Sequence, residues 1–303
     1  MTAQVTRKQM RTVFAETVIE SLASDPRVVM LTADISSWFF WDVKKEYPDR
    51  VLNFGIREQA MIDIAGGFAL AGMRPVVHTY APFLIERPFE QIKIGLNHQD
   101  VGAVLVSVGA SYDDPSWGRT HQGPGDVALL DTLPGWTVHV PGHEDEVGPL
   151  LRKAIAGDGR VYMRLSERAN GEPVPVTDGF TVLRKGTAGV VIAVGPMLDQ
   201  VLAATANIDA TVLYTSTIRP FDHAGLRAAV ADARANVVLV EPYLKGTSSH
   251  EVNEALTDVP HRVLSFGVWR DREARAYGTA EDHDKLFGVD PESLAASITR
   301  FFN

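Results

Sequence analysis

The sequence contains no cysteine. Disulfides, thiolate metal centres and cysteine nucleophiles are therefore excluded. It has no surplus of positive charge either: 29 Lys and Arg stand against 38 Asp and Glu, a formal net charge of −9. No basic block offers a surface for phosphate backbones, so DNA and RNA are not expected as partners. No apolar run reaches the roughly 20 residues a membrane helix needs, so no membrane contact is expected. The first residues, up to Phe14, are polar and then amphipathic, without the pattern of a secretory signal. These absences together fit a cytoplasmic protein acting on small molecules. There is no internal repeat and no low-complexity tract.

What is present is 303 residues, 45% of them hydrophobic, enough for two packed cores of ordinary domain size. Short β-branched runs alternate with amphipathic stretches. Met10, Val13, Phe14, Thr17, Val18 and Leu22 recur at helical spacing. Strands are expected at 28–31, 51–54, 75–77, 103–108, 138–140 and 161–165, with helices at 57–72, 83–97 and 143–156. The stretch 169–180 carries two Pro and two Gly and no period. Alternation then restarts, with strands at 189–194, 211–214, 237–240 and 262–266 and helices at 197–206, 223–233 and 291–302. Continuous apolar strands alternating with helices imply parallel sheets covered on both faces. The expected fold is α/β, two doubly wound domains with mainly parallel sheets: residues 1–170, a linker at 171–180, and residues 181–303.

The most informative segment is residues 53–72. A strand ends at Gly55, a helix begins near Arg57, and Glu58 falls in its first turn. Ligands of open α/β sheets bind outside the carboxyl ends of strands, which places Glu58 at the functional edge. A plain complement to the helix dipole is the competing reading.

The order of motifs resolves that ambiguity. Gly55-Ile56-Arg57-Glu58-Gln59-Ala60-Met61 is followed by Ala65-Gly66-Gly67-Phe68-Ala69-Leu70-Ala71-Gly72. Then come Pro75-Val76-Val77-His78-Thr79-Tyr80-Ala81-Pro82-Phe83, Arg87 with Phe89-Glu90-Gln91-Ile92, Gly118-Arg119-Thr120-His121-Gln122-Gly123, and Leu133-Pro134-Gly135-Trp136-Thr137-Val138. This series resembles the thiamine-diphosphate pyrimidine-binding domain of transketolases. Thr217-Ile218-Arg219-Pro220-Phe221-Asp222 and Val240-Glu241 resemble the transketolase C-terminal domain. The resemblance implies thiamine diphosphate as cofactor. Glu58 would hydrogen-bond N1′ of the aminopyrimidine, setting the tautomer through which the ring takes a proton from the thiazolium. Phe83, Tyr80 and Ile56 would wall the pyrimidine, and Asp34 would lie near it, an N-cap role being its plain alternative. His121 matches a histidine facing substrate oxygens, and His78 is a further candidate to line the cleft. Transfer of a two-carbon ketol unit between sugars is the implied reaction. The second domain shows no catalytic constellation and is expected to serve structure and assembly.

A whole transketolase also has a diphosphate-binding domain, in which Gly-Asp-Gly and a later Asn hold the divalent metal. Gly157-Asp158-Gly159 has no suitably spaced Asn after it and reads as a polar turn. The resemblance therefore implies that Mg2+, or another divalent metal, is held mainly by a separate N-terminal transketolase subunit, in a heterotetramer with two copies of each chain. Three positions depart from sugar-phosphate transketolases. Trp117 stands where an Asp is usual, Gly109 where a phosphate-binding His is usual, and Glu167 where a phosphate-binding Arg is usual. A one-residue shift would put Arg168 at the last of these. The departures imply a donor or acceptor without phosphate, bound among His121, His78, Trp117 and Arg168. Two other readings stay open: the β subunit of a 2-oxo-acid dehydrogenase, and a non-catalytic regulatory subunit. Deoxyxylulose-phosphate synthase is normally one long chain.

Overall fold

The computed structural model describes residues 7–303; the first six residues, and with them most of the polar start, lie outside the described residues. The first domain runs α1 (Met10–Ser24), β1 (Val28–Thr32), α2 (Val43–Glu46), β2 (Val51–Asn53), α3 (Glu58–Leu70), β3 (Arg74–Tyr80), α4 (Phe89–Gln91), β4 (Val104–Val108), α5 (Asp126–Leu130), β5 (Trp136–His139), α6 (Glu144–Ala156) and β6 (Arg160–Arg164). The second runs β7 (Thr181–Arg184), β8 (Val190–Val194), α7 (Leu198–Ala204), β9 (Thr211–Thr215), β10 (Thr217–Arg219), α8 (His223–Ala231), β11 (Asn236–Leu244), α9 (Ser249–Ala255), β12 (Arg262–Val268), α10 (Ala280–Phe287) and α11 (Pro291–Phe302). No helix or strand falls between β6 and β7. Among the described residues no helix is long and apolar enough to cross a membrane.

Two sheets result, in the orders β10-β5-β6-β4-β3-β1-β2 and β12-β11-β8-β9-β7. Every pairing is parallel except β10 with β5 and β7 with β9. The central strands β1, β4, β8 and β9 are buried at every residue, which is why they read as continuous apolar runs rather than alternating ones. Val29, Leu31, Val77 and Leu105 pack on Met61, Ile62 and Ala65 of α3 on one face. Phe14, Val18 and Leu22 of α1 cover the other with α6. Truncating any of these large side chains to Ala would cost about 2–5 kcal/mol.

Strand β7 and helices α2, α5 and α10 are additions to the expected order, and two further departures bear on the site. The helix expected at 83–97 is broken into π-helical turns at Pro82–Glu86 and Ile92–His98 around the short α4. Pro88 has no N–H to give the preceding turn, and wide turns of this kind favour functional positions. Strand β10 belongs to the second domain in sequence but completes the first domain's sheet in space, with Thr217 opposite His139.

Candidate active site

The first sheet gathers four loops at its carboxyl edge, following β1, β2, β3 and β4. Glu58 is the first residue of α3 and is 2% exposed. Both of its oxygens accept from one guanidinium nitrogen of Arg87, at 2.9 and 3.0 Å. The same guanidinium lies 4.1 Å from the centre of the Phe83 ring. Arg87 thus fixes the carboxylate and the ring together, by a charge-assisted bond on one side and a cation–π contact on the other.

His121 is ringed by aromatics. Ring centres of Trp117, Phe83 and Tyr80 lie 4.8, 5.2 and 5.5 Å away. Its Nδ1 is 3.0 Å from the Thr120 hydroxyl. Tyr80 is half-buried; burial pushes its hydroxyl pKa up, with Arg11 opposing and Glu167 and Asp114 adding to the shift. Gly109 has φ of +67°, and a Cβ there would stand 2.4 Å from the Tyr80 ring. Left-handed backbone and contact with Tyr80 both disfavour a side chain at position 109.

Glu58, Phe83, Tyr80, His121 and Trp117 therefore share one edge. Trp117 is 51% exposed and Ile56 74% exposed, each on a loop of that edge. Asp34 is also exposed there. Its φ of 60° is left-handed; its N–H donates to Asn53 Oδ1, and Asn53 Nδ2 donates back to Asp34 Oδ1. It thus joins the loops after β1 and β2 and caps no helix.

His78 is a correction to the expected cleft. It is fully buried: Nδ1–H donates to the Val106 carbonyl at 2.8 Å and Nε2 accepts from the Ser36 hydroxyl at 2.9 Å. A carbonyl only accepts, so the tautomer is fixed. Burial pulls its pKa down to about 4, leaving a neutral core histidine. Arg168 is also committed elsewhere, donating to both oxygens of Asp284 in the second domain at 3.0 and 2.7 Å. It borders an interdomain cavity of about 250 Å³ with Tyr112, Asp113, Arg164 and Glu167. Asp113 accepts from the Ser166 hydroxyl and from the N–H groups of Ala110 and Glu167, while burial pushes its pKa up to about 6.

The second domain backs the loop that carries His121. Ser111 donates to the Pro242 carbonyl, Leu244 N–H to the Pro124 carbonyl, and Tyr112 to Asp284. Arg87 belongs to the motif that continues through Phe89–Ile92, and its pairing with Glu58, 29 residues away, is a contact that spacing does not reveal. Asp158 of the Gly-Asp-Gly triplet is exposed and pairs with Arg27. Among the described residues, both groups of three or more convergent metal-ligating side chains include Glu251, and neither includes Glu58 or Asp158.

Comparison with known proteins agrees with this anatomy. The family description "Transketolase, pyrimidine binding domain" matches residues 6–172, and "Transketolase, C-terminal domain" matches residues 179–294. The chain is 54% identical to an uncharacterized 33.6 kDa protein in the fasciation locus of Rhodococcoides fascians, over 96% of this chain and 94% of that one. It is 28% identical to a 1-deoxy-D-xylulose-5-phosphate synthase of Synechococcus, over 96% of this chain but only 47% of that enzyme. Among solved structures, a split-gene transketolase described as an inactive beta4 tetramer superposes with a TM-score of 0.82 at 26% identity, covering 97% of both chains. A Pichia stipitis transketolase superposes with a TM-score of 0.76 at 17% identity, covering 100% of this chain and 47% of that one, a likeness of fold.

Proposed function

Because the chain belongs to the transketolase family, we propose that it is the pyrimidine-binding subunit of a two-chain, thiamine-diphosphate-dependent transferase, completed by a separate chain that holds the diphosphate and its divalent metal. The observation that carries this reading is Glu58: a buried carboxylate at the carboxyl edge of a parallel sheet, beside an aromatic wall and below a ringed histidine. The split-gene transketolase chain, matched over 97% of its own length, supports the two-chain arrangement. Trp38 and Trp41 on the loop after β1, Ile56 after β2 and Trp117 after β4 are all exposed large apolar side chains, and such a concentration suits a partner surface.

The residues present fit half of the cofactor. A carboxylate and a Phe83 wall suit an aminopyrimidine, whereas no convergent metal-ligand set borders Glu58 among the described residues. Thiamine diphosphate, when bound, supplies a carbon nucleophile and an electron sink for moving a two-carbon ketol unit from a ketose to an aldehyde. Glu58 holds and exchanges a proton at the pyrimidine nitrogen, and Arg87 fixes the plane of its carboxylate. Phe83 and Tyr80 exclude water from one face. His121 uses Nδ1 on Thr120 and offers its other nitrogen to a substrate oxygen.

The substrate is read as unphosphorylated. Gly109 offers no side chain, Arg168 is paired with Asp284, and Glu167 adds negative charge beside Tyr80. Each missing charge-assisted contact forgoes about 1.5–3 kcal/mol of phosphate binding. Native mass spectrometry of the chain isolated gently from its host is expected to show two copies of it with two of a second chain, carrying thiamine diphosphate and a divalent metal. That complex should turn over free ketoses faster than xylulose 5-phosphate. Turnover by this chain alone, loaded with thiamine diphosphate and a divalent metal, would overturn the two-chain reading, and efficient use of phosphorylated ketoses would overturn the substrate reading. Pyruvate decarboxylation with transfer to a lipoyl group would assign the chain to the 2-oxo-acid dehydrogenases instead.

A further inference from the structure

The loop after β4 is fastened to the second domain near both of its ends, through Ser111 and Pro124. Its middle carries Trp117 and His121 and is built differently. Two tight turns, Pro115–Trp117 and Arg119–His121, meet at Gly118. Gly118 has φ of 67° and ψ of −173°, a conformation that only glycine adopts without strain. The freedom that permits this conformation also lets the joint swing. Among the described residues, the backbone hydrogen bonds of residues 115–121 are all local, as from Trp117 to Asp114, Gly118 to Pro115 and His121 to Gly118. No sheet or helix therefore fixes where His121 stands. Beside the joint lies a cleft of about 440 Å³, lined in part by Arg119, Gln122 and Glu273. The turn thus has room to fall back.

Two side chains from the segment between β12 and α10 stand against that motion. Tyr277 lies on Gly118: its Cε1, Oη and Cζ would be 2.9, 3.1 and 3.2 Å from a Cβ built there, nearer than any other atom outside the adjoining residues. Gly118 is consequently buried, although Trp117, Arg119 and Thr120 around it are exposed. Tyr277 itself is 71% exposed. On the next residue, Arg119 Nη1 donates to the Gln122 carbonyl at 2.6 Å, and Nε lies 3.3 Å from Glu273 Oε1. Arg119 thus joins the end of the His121 turn to the same segment. Both partners of this ion pair are half-exposed, so it adds little stability. Its contribution is one of direction. From the first domain, Phe83 and Tyr80 meet the His121 ring. The turn is held by rings of the first domain and by one segment of the second.

We propose that Tyr277 and Glu273 are positioning residues: they hold the Gly118 joint so that His121 keeps its free nitrogen turned toward the substrate. This rests on the placement of His121 in the proposed site. Both residues act through His121 rather than on the substrate. A reacting group misplaced by about 1 Å can lose on the order of 10²-fold in rate. Removal of an exposed side chain, by contrast, leaves the fold nearly unchanged. The effect on rate and the effect on stability therefore separate.

The test reads His121 directly. The full chain is labelled with carbon-13 at histidine Cε1, and the His121 signal is identified as the one missing from His121→Gln. The rings of Tyr80, Phe83 and Trp117 surround His121, so ring currents displace its signal from that of an exposed histidine. In Tyr277→Ala, and further in the Glu273→Gln, Tyr277→Ala double variant, the signal should move toward the exposed position while the melting temperature stays at the parent value. In the reconstituted complex, kcat of Tyr277→Ala should fall about tenfold without a matching rise in KM. Tyr277→Phe keeps the ring on Gly118 and should restore both the signal and kcat. An unmoved His121 signal in the double variant would overturn the proposal, as would a parent kcat in that variant. A parent complex that transfers no ketol unit would instead overturn the reading of the site, and the His121 signal would still decide whether the segment holds the turn.

Discussion

Glu58 and Glu241 are both buried carboxylates at the carboxyl ends of parallel strands, one in each domain, and their surroundings differ. Glu58 meets Arg87, a ring wall and exposed loops bearing Ile56 and Trp117. Glu241 is fully buried, accepts one bond from Ser248 N–H, and has a second oxygen without a partner, as does the Tyr243 hydroxyl beside it. The loop after β4 presses on that second edge through Ser111 and Pro124, and Arg219 locks to Asp131. Two sheets of like construction thus have one open edge and one sealed edge. A carboxyl edge becomes a ligand site only where the rest of the chain leaves it uncapped. The sealed edge instead backs the loop that carries His121.

The comparison breaks most visibly if the two glutamates are exchanged for glutamine in turn. Glu58→Gln should lower kcat of the reconstituted complex by on the order of 10²–10⁴, with only a modest fall in melting temperature as the charge-assisted bond from Arg87 weakens. Glu241→Gln should leave kcat as it is. Burial raises the pKa of Glu241, so its charged form weakens the fold as pH rises, and the glutamine variant should gain stability at neutral pH. Equal losses of activity from the two variants would erase the distinction between the edges.

Asp113 sharpens it next, because this residue ties the His121 loop to the end of β6. Burial holds its folded pKa at about 6, above the usual aspartate range. The sign follows: its contribution is fully present below pH ~4 and is lost as pH rises through ~6. That displacement corresponds to about 3 kcal/mol. His78 and His139, both pulled down to about 4 by burial, act oppositely, contributing above pH ~6.5 and losing that contribution as pH falls toward ~4. The parent's pH profile therefore mixes cancelling slopes. Denaturant titration of Asp113→Asn against the parent isolates one of them: the variant should match near pH 4 and be more stable by about 3 kcal/mol at pH 7. A constant difference across that range would remove Asp113 as a titrating group.

A smaller effect is expected from Gly109→Ala. Left-handed backbone alone costs about 1–2 kcal/mol, and the new methyl must displace the Tyr80 ring. Stability should fall by that amount, and KM should rise with the displaced wall. A variant with parent KM would mean that Tyr80 does not border the substrate.

These contacts also mark how far the sequence could be read. Continuous apolar strands announced both parallel sheets, because burial on both faces removes alternation and leaves an unmistakable run. The Glu58 segment was legible because a strand end, a glycine and a first-turn acid are adjacent in the chain. Strand β10 was not legible, since three residues joining another domain's sheet have no period of their own. Helix α10 has no long apolar period, and its one local signal is the capping box between Thr279 and Asp282. His78 shares a face of β3 with Tyr80, but it lies two residues back from the strand end, beneath α1, where it packs on Phe14, 4.6 Å from its ring. The Glu58–Arg87 and Arg168–Asp284 pairs join residues 29 and 116 positions apart, and no local rule encodes them.

The last of those pairs offers the finest test of the open edge. Arg168 is a cation near the proposed substrate tail, and Asp284 of α10 holds it with two charge-assisted bonds. Tyr112 donates to the same carboxylate. If this pairing is what denies the site a phosphate contact, Asp284→Asn should loosen Arg168 and lower KM for xylulose 5-phosphate about tenfold, a gain of about 1.4 kcal/mol, without changing KM for free ketoses. Arg168→Met should change neither KM and should cost only stability, about 2 kcal/mol, because it leaves Asp284 with fewer donors. A rise in KM for free ketoses with Arg168→Met would instead place Arg168 on the substrate. The second domain would then hold a specificity element of the first domain's edge, rather than only its support.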